Sequence, residues 1–261
     1  GTQTPITIPG ITLPAGTPSA IPSSPSGVAV GDFDGDGHLD LAVTDSSNND
    51  VMILFGDGLG NFAAATAASS FATGIAPAAL LAADLDGDGT VDLAVVNQGN
   101  GTSNGTVSVF LNNRTGSRTN TFAAATEYPV GVLPKAIALG NFNADTRPDL
   151  AVTNSADSTV SILLQTTDLI AATLGTFSPS VAYTTGAGPA GITVADFNRD
   201  GIQDLAVANQ GASPGTISIL PGRGDGTFPT HTEFTTGSGP AGIAAADFTG
   251  QHTAGFDRLP V

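Results

Sequence analysis

Aspartates stand at 32, 34, 36 and 40 in the stretch "DFDGDGHLD", positions 1, 3, 5 and 9 of a short segment rich in turn formers. Carboxylates crowded this closely repel one another unless a cation sits among them. In a tight loop, side chains at positions 1, 3, 5 and 9 and the backbone carbonyl of position 7 can converge on one point. An all-oxygen donor set of that kind selects a hard ion such as calcium. Asp32, Asp34, Asp36 and Asp40 are therefore candidate ligands through their side chains, and His38 through its carbonyl. Glycine at position 6, Gly37, lets the backbone make the turn.

The same spacing returns three times. Loop two offers Asp84, Asp86, Asp88 and Asp92 with the Thr90 carbonyl, and loop four offers Asp196, Asn198, Asp200 and Asp204 with the Ile202 carbonyl. Loop three offers Asn141, Asn143, Asp145 and Asp149 with the Arg147 carbonyl, but has Thr146 where glycine is expected and Pro148 stiffening its exit. Two amides in place of carboxylates make it the weakest of up to four calcium sites. The four loops hold 13 of the 23 acids, and filling all four with calcium would take the formal net charge from -16 to -8. Aspartate-rich turns alone would account for one such loop, and for loop three as readily as a metal does, but not for four recurrences at fixed ligand spacing. A helix-flanked EF-hand is excluded, because its twelfth position supplies a bidentate glutamate where this chain has Val43 or Val95.

Each loop lies inside a longer repeat. "GVAVGDFDGDGHLDLAVTDS" from Gly27 returns from Ala79, from Ala136 and from Gly191, and a fifth copy starts at Gly242. Successive loops are spaced by 52, 57, 55 and 51 residues, lengths that suit a four-stranded unit. A second apolar run ("TVSVFLNN", "TVSILLQT", "TISILPGR") follows each loop-bearing stretch, then a glycine turn, then a phenylalanine at 62, 122, 177 or 228 opening a Thr- and Ala-rich run. For the second unit the strands are expected at about Pro77–Asp84, Asp92–Asn97, Gly105–Asn112 and Phe122–Val130, the first two buried on both faces and the outer two more polar. The fold class is all-β. Radial packing of four-stranded sheets makes a β-propeller of four recognisable blades plus a partial fifth, whereas a β-solenoid would repeat at a far shorter period. The blades are placed at about 27–76, 77–133, 134–188 and 189–239, with the partial fifth at 240–261.

The pattern Asp-Phe-Asp-x-Asp-Gly-x-x-Asp-Leu-Ala-Val, carried in four copies between residue 27 and about residue 250, resembles the FG-GAP/VCBS type of repeat. That family builds calcium-loaded propellers similar to the integrin alpha-subunit head. Integrin-type repeats follow the loop with a Gly-Ala-Pro turn, whereas here the chain continues Thr-Asp-Ser, Val-Asn-Gln or Thr-Asn-Ser, so the bacterial-type repeats are the nearer relatives. The resemblance implies a non-catalytic binding or adhesion module, extracellular or on a bacterial cell surface, with structural calcium. A protein or glycan ligand, left unidentified, would meet variable loops such as 98–105 and 210–215. A lectin-like propeller and a structural spacer within a larger surface protein are the alternatives.

Composition narrows the classes further. With 40% hydrophobic and 11% charged residues the chain can bury a core, while 34 glycines and 17 prolines argue against a helical protein. The acidic balance disfavours nucleic acid and anionic membrane surfaces, and no apolar stretch nears the roughly 18 residues a spanning helix needs. There is no cysteine, so metal is left as the candidate staple for the loops. "RGD" at 223–225 aligns with the glycine turn of "FGDGLGNF" at 55–62, and the turn explains it. His38, His231 and His252 have no triad or metal spacing, and neither Glu127 nor Glu233 has a partner at recognisable spacing. Asn100, Asn104 and Asn113 open Asn-x-Thr sequons within polar loops.

The two ends are less regular. Residues 1–26 hold two short β-like runs, at 6–8 and 11–13, that suit either closing strands or a proline-rich linker. After Gly250 the chain reads "QHTAGFDRLPV" where an aspartate at 255 is expected. A shift of one base restores it, so the tail reads as a frameshifted or truncated end of a longer repeat protein.

Overall fold

A computed structural model describes residues 22–63, 69–113, 118, 121–168 and 173–247. They form four antiparallel four-stranded sheets, one per repeat. Sheet one holds β1 (Pro25–Gly31), β2 (Asp40–Asp45), β3 (Asp50–Leu54) and β4 (Ser70–Ala72) in that order. Sheet two holds β5 (Pro77–Ala83), β6 (Asp92–Asn97), β7 (Asn104–Phe110) and β8 (Thr126–Val132). In sheet three, β9 (Pro134–Gly140), β10 (Asp149–Asn154) and β11 (Thr159–Leu163) are followed by a separate hairpin, β12 (Gln165–Asp168) with β13 (Thr173–Phe177), before β14 (Val181–Thr184) completes the sheet beside β11. Sheet four holds β15 (Pro189–Ala195), β16 (Asp204–Asn209), β17 (Thr216–Leu220) and β18 (Thr232–Thr235).

The Asp-Leu-Ala-Val run forms the second strand every time. Its β-branched residues suit a pleated, covered surface, and in β6, β10 and β16 all six residues are buried. The expectation that first strands are buried on both faces is corrected: β5, β9 and β15 are mostly half-buried, and burial falls instead on the second and third strands. The reason is placement. A first strand ends its own sheet and meets chiefly the first strands of its neighbours, as β5 meets β1 and β9, with fewer contacts to their second strands. The fourth strand is corrected too, because Phe122 makes only an isolated bridge with Asn112 and the strand itself begins at Thr126. Sheet one begins at Pro25, inside the segment read as linker or closing strands. The runs at 6–8 and 11–13, and the tail from 248, lie outside the described residues.

Three apolar cores lie between successive sheets. Ala42, Val51 and Ile53 of sheet one close on Leu93, Val95 and Phe110 of sheet two. The second core joins Val107 and Val109 to Leu150, Val152 and Leu163, and the third joins Val160 and Ile162 to Leu205, Val207 and Leu220. Sheets two and three thus each serve as a wall of two cores, the face-to-face packing of propeller blades.

A polar seam repeats at the opposite end from the acidic loops. A glycine at the end of the fourth strand, or just past it, tucks against the next sheet in sheets one to three: a Cβ on Gly74 would meet Asn97 Nδ2 at 2.7 Å, one on Gly186 would meet Asn209 Nδ2 at 2.6 Å, and one on Gly131, within β8, would meet Asn154 Cγ at 2.6 Å. The Gly74 and Gly186 amides donate to Ser108 and Ser218 of the next sheet, and the Gly131 amide to Asn154. Beyond sheet four, residues 241–243 lie where a fifth first strand would lie. A Cβ on Gly191 would meet the Ala241 carbonyl at 2.7 Å, as one on Gly27 would meet Leu80 of β5 at 2.8 Å. Residues 240–247 carry no strand hydrogen-bonding pattern. Sheets one and four do not pack on one another as successive sheets do.

Candidate metal centre

Each acidic loop joins the first strand of a sheet to the second, so all four open at one end of the row, together with the connections from third to fourth strands. Their inner conformation is shared. The carboxylate of position 1 accepts amides from the loop it opens: Asp32 accepts from Gly35 at 2.7 Å and Gly37 at 2.9 Å, Asp84 from Gly87 at 2.7 Å and Gly89 at 2.9 Å, and Asp196 from Arg199 at 2.6 Å and Gly201 at 2.9 Å. In loop three Asn141 accepts the Asp145 amide at 3.2 Å. Position 5 then accepts the amide of position 7, as Asp36 does from His38, Asp88 from Thr90, Asp145 from Arg147 and Asp200 from Ile202. This wrapping needs positive φ at positions 4 and 6. Gly37, Gly89 and Gly201 supply it at position 6, whereas loop three holds Thr146 there at φ 71°, a strained placement for a β-branched residue.

Position 9 carries a second role beside the ligand role read in the sequence. Asp40, Asp92, Asp149 and Asp204 are each 0% exposed. One oxygen of each accepts the amide of position 2 (Phe33, Leu85, Phe142 or Phe197), and the other accepts an amide just beyond the third strand, from Gly56, Asn112, Gln165 or Gly222. These aspartates pin loop to sheet whatever else they bind. Burial, with Asp86 and Asp84 adding to it, pushes the Asp92 carboxyl from 3.8 up to about 6 against the downward pull of the Asn112 and Leu85 amides. Burial likewise raises Asp40, Asp149 and Asp204.

Two loops gather acids tightly enough for an ion. Carboxylate oxygens of Asp32, Asp34 and Asp40 all lie within 4.8 Å of one another, and so do those of Asp84, Asp86 and Asp88. The donors are anionic oxygens only, and they suit a hard divalent cation. Asp36 and Asp92 stand outside these triplets. Loops three and four form no such triplet among the described residues. There the position-3 asparagine turns its amide on position 5 instead: Asn198 Nδ2 donates to Asp200 at 2.9 Å and Asn143 Nδ2 to Asp145 at 2.9 Å, and Arg147 also pairs with Asp145.

Comparison with known proteins fits this repeat. The FG-GAP-like repeat family matches residues 32–95, 141–207 and 196–252, more than half of the chain. The chain belongs to the FG-GAP-like repeat family. No curated protein sequence matches it. Among solved structures, the PQQ-bound form of an aldose sugar dehydrogenase from Streptomyces coelicolor aligns at 14% identity over 85% of this chain and 72% of that one, with a TM-score of 0.45. A likeness of that degree carries no argument about chemistry here.

The FG-GAP repeats also shield one another's loops, which the sequence did not reveal because it depends on contacts some 80 residues apart. The carbonyl at position 2 accepts a hydrogen bond from the following repeat: Phe33 from Asn112 at 2.9 Å, Leu85 from Gln165, and Phe142 from the Gly226 amide at 2.8 Å. A Cβ on Gly175 of β13 would stand 3.2 Å from Asp86 Cβ, so the extra hairpin of sheet three leans on loop two. Over loop one lies Arg118, from the connection between β7 and β8, paired with Asp34 and Asp36. Among the described residues no fifth repeat covers loop four, and Phe197 at its position 2 is 39% exposed where Phe33 and Phe142 are each 1% exposed.

The remaining polar motifs resolve into turns and seams. The "RGD" segment adopts the conformation of the turn at 57–61, with Asp225 accepting the Thr227 amide at 3.0 Å as Asp57 accepts the Leu59 amide at 2.8 Å. Glu127 and Glu233 occupy one repeat position, opposite Ser108 and Ser218, on separate sheets. His38 meets Asp36 at 3.3 Å and His231 meets Glu233 at 3.2 Å, each within its own turn or strand. Asn100 caps its turn through the Thr102 and Ser103 amides. A group missed by sequence reading is Asp45, which stands where the other sheets have Asn97, Asn154 and Asn209. Burial opposes its charge, yet hydrogen bonds from Ser47 and Ser23 outweigh this and hold its carboxyl far below the usual range.

Proposed function

We propose that this FG-GAP repeat chain is a calcium-stabilised, non-catalytic binding module of the extracellular or cell-surface type. Calcium would be held by Asp32, Asp34 and Asp40 in loop one and by Asp84, Asp86 and Asp88 in loop two, with the asparagine-bearing loops three and four weaker. The observation that carries this reading is the convergence of three carboxylates within 4.8 Å in each of two loops. When bound, the ion supplies charge compensation and ties the first strand to the second. The chain's own part is to aim the oxygens, through the amide wrapping of positions 4 to 7, and to fix the loop to its sheet through position 9.

The reading of the module as a binder rests on the division between its two ends. Ion loops and their covering connections occupy one end, while the turns at 98–105 and 210–215, which vary between repeats, lie at the other. A stapled end leaves the opposite turns free to differ, and surface loops on a rigid scaffold are where recognition is placed. Thermal melts in EDTA, in millimolar calcium and in millimolar magnesium test the calcium reading, since a ligand that binds only the folded state raises its Tm. Calcium is expected to raise Tm by several degrees more than magnesium does. Identical melts in all three would remove calcium from the reading.

A further inference from the structure

In loop one the wrapping amides use one oxygen of each middle aspartate: Asp34 Oδ1 accepts from the Asp36 amide at 3.2 Å and Asp36 Oδ1 from the His38 amide at 2.8 Å. The second oxygens are met from outside. Arg118 donates from Nε to Asp34 Oδ2 at 2.7 Å and from Nη2 to Asp36 Oδ2 at 2.9 Å. Its guanidinium also lies over the Phe55 ring of sheet one, with Cζ 5.3 Å from the ring centroid. The Asp34 side chain is 3% exposed, so its bond with Arg118 is sheltered from water, whereas the Arg118 side chain is 49% exposed and free to leave towards solvent. Arg118 belongs to sheet two, so this fork ties one repeat to the ion loop of the repeat before it.

We propose that Arg118 is the resident cation of loop one: it holds Asp34 and Asp36 when no metal is bound and competes with calcium for Asp34, the carboxylate the two would share, so that loop one is a calcium-sensitive joint between sheets one and two. The proposal rests on the calcium reading of the loops. A planar guanidinium presents parallel donors to a pair of carboxylates and is always charged, so it competes with a metal at any pH the protein meets. A divalent ion and a guanidinium cannot share these oxygens without strong repulsion. Loop one therefore binds calcium more weakly than its carboxylates alone would allow, and the strength of the joint between the sheets depends on which cation is present. Loop three holds the local version of this arrangement, with Arg147 on Asp145 of its own loop.

Only three histidines occur in the chain and His38 is the one inside an ion loop, so its ring resonances follow loop one alone in a calcium titration, assigned by their loss in His38→Gln. Arg118→Gln is expected to move the His38 midpoint to lower calcium by roughly three- to tenfold, with Arg118→Lys falling between it and the parent. In EDTA, Arg118→Gln is expected to melt below the parent, and its rise in Tm on adding calcium to be larger. A clear His38 titration whose midpoint is unchanged by Arg118→Gln, or moved to higher calcium, would overturn the exchange while leaving the calcium reading intact. A His38 ring that ignores calcium in parent and variant alike would overturn both for this loop.

Discussion

Truncating Asp149 strands the amides of Phe142 and Gln165 in a fully buried setting. Each buried donor left without a partner costs about 1–3 kcal/mol. Asp149→Ala is therefore expected to destabilise the chain by about 2–5 kcal/mol in urea unfolding, by the same amount in EDTA and in calcium, because loop three has two asparagines among its donors. A loss seen only in calcium would mean that position 9 acts as a ligand first. Asp92 contributes one part of the pH dependence of the ion-free protein. Its folded value of about 6 lies above its ordinary 3.8, so its contribution to stability is fullest below about pH 4 and is lost as pH rises to 6. A cation at loop two reverses the preference by favouring the charged form. The rise in Tm on adding calcium is thus expected to be larger at pH 7 than at pH 5, and equal rises at both would contradict the coupling. At this scale the positions of the acids were legible in the sequence, but their division of labour was not. Ligand spacing marks positions 1, 3, 5 and 9 alike, and only the fold reveals that the ninth is engaged by backbone on both oxygens.

Sheets are joined by what a glycine leaves room for. Gly186 and Gly237 share one repeat position, each closing the turn after a fourth strand, yet a Cβ on Gly186 would meet Asn209 Nδ2 at 2.6 Å and Thr216 Oγ1 at 2.7 Å, whereas nothing lies within 4 Å of one on Gly237. Forcing a methyl group into a packed seam costs about 1–3 kcal/mol. Gly186→Ala is expected to lower the urea midpoint accordingly and Gly237→Ala to leave it unchanged. Equal losses at both would mean that the turn, not the seam, demands glycine. Strand existence and order followed from the repeat itself, since the Asp-Leu-Ala-Val run can only be a covered strand. Exposure did not, because β5 and β6 are both apolar in sequence and differ only in which one lies inside the sheet. The β12–β13 hairpin was hidden for a related reason: Thr and Ala runs carry no signal that separates an added hairpin from a fourth strand.

Across the whole molecule, successive FG-GAP repeats complete one another twice, through the apolar cores and through the connection each lays over the preceding acidic loop. Among the described residues the outer sheets therefore differ from the inner ones. Val28 and Val30 of β1 are 61% and 53% exposed and Phe234 of β18 is 56% exposed, while their counterparts in the inner sheets, such as Leu80 and Tyr128, pack into a core. A count of repeats in the sequence foretold this architecture, whereas the shielding of loops one to three arises only when the repeats are stacked. The loops should consequently not behave as four copies of one site. Calcium binding measured by isothermal titration, with the stoichiometry checked by metal analysis of the dialysed protein, tests this most directly. The expected result is two calcium ions per chain held in preference to magnesium, lost together in Asp32→Asn/Asp84→Asn, and weaker binding beyond them. No binding at millimolar calcium, or two ions retained by that double variant, would contradict it.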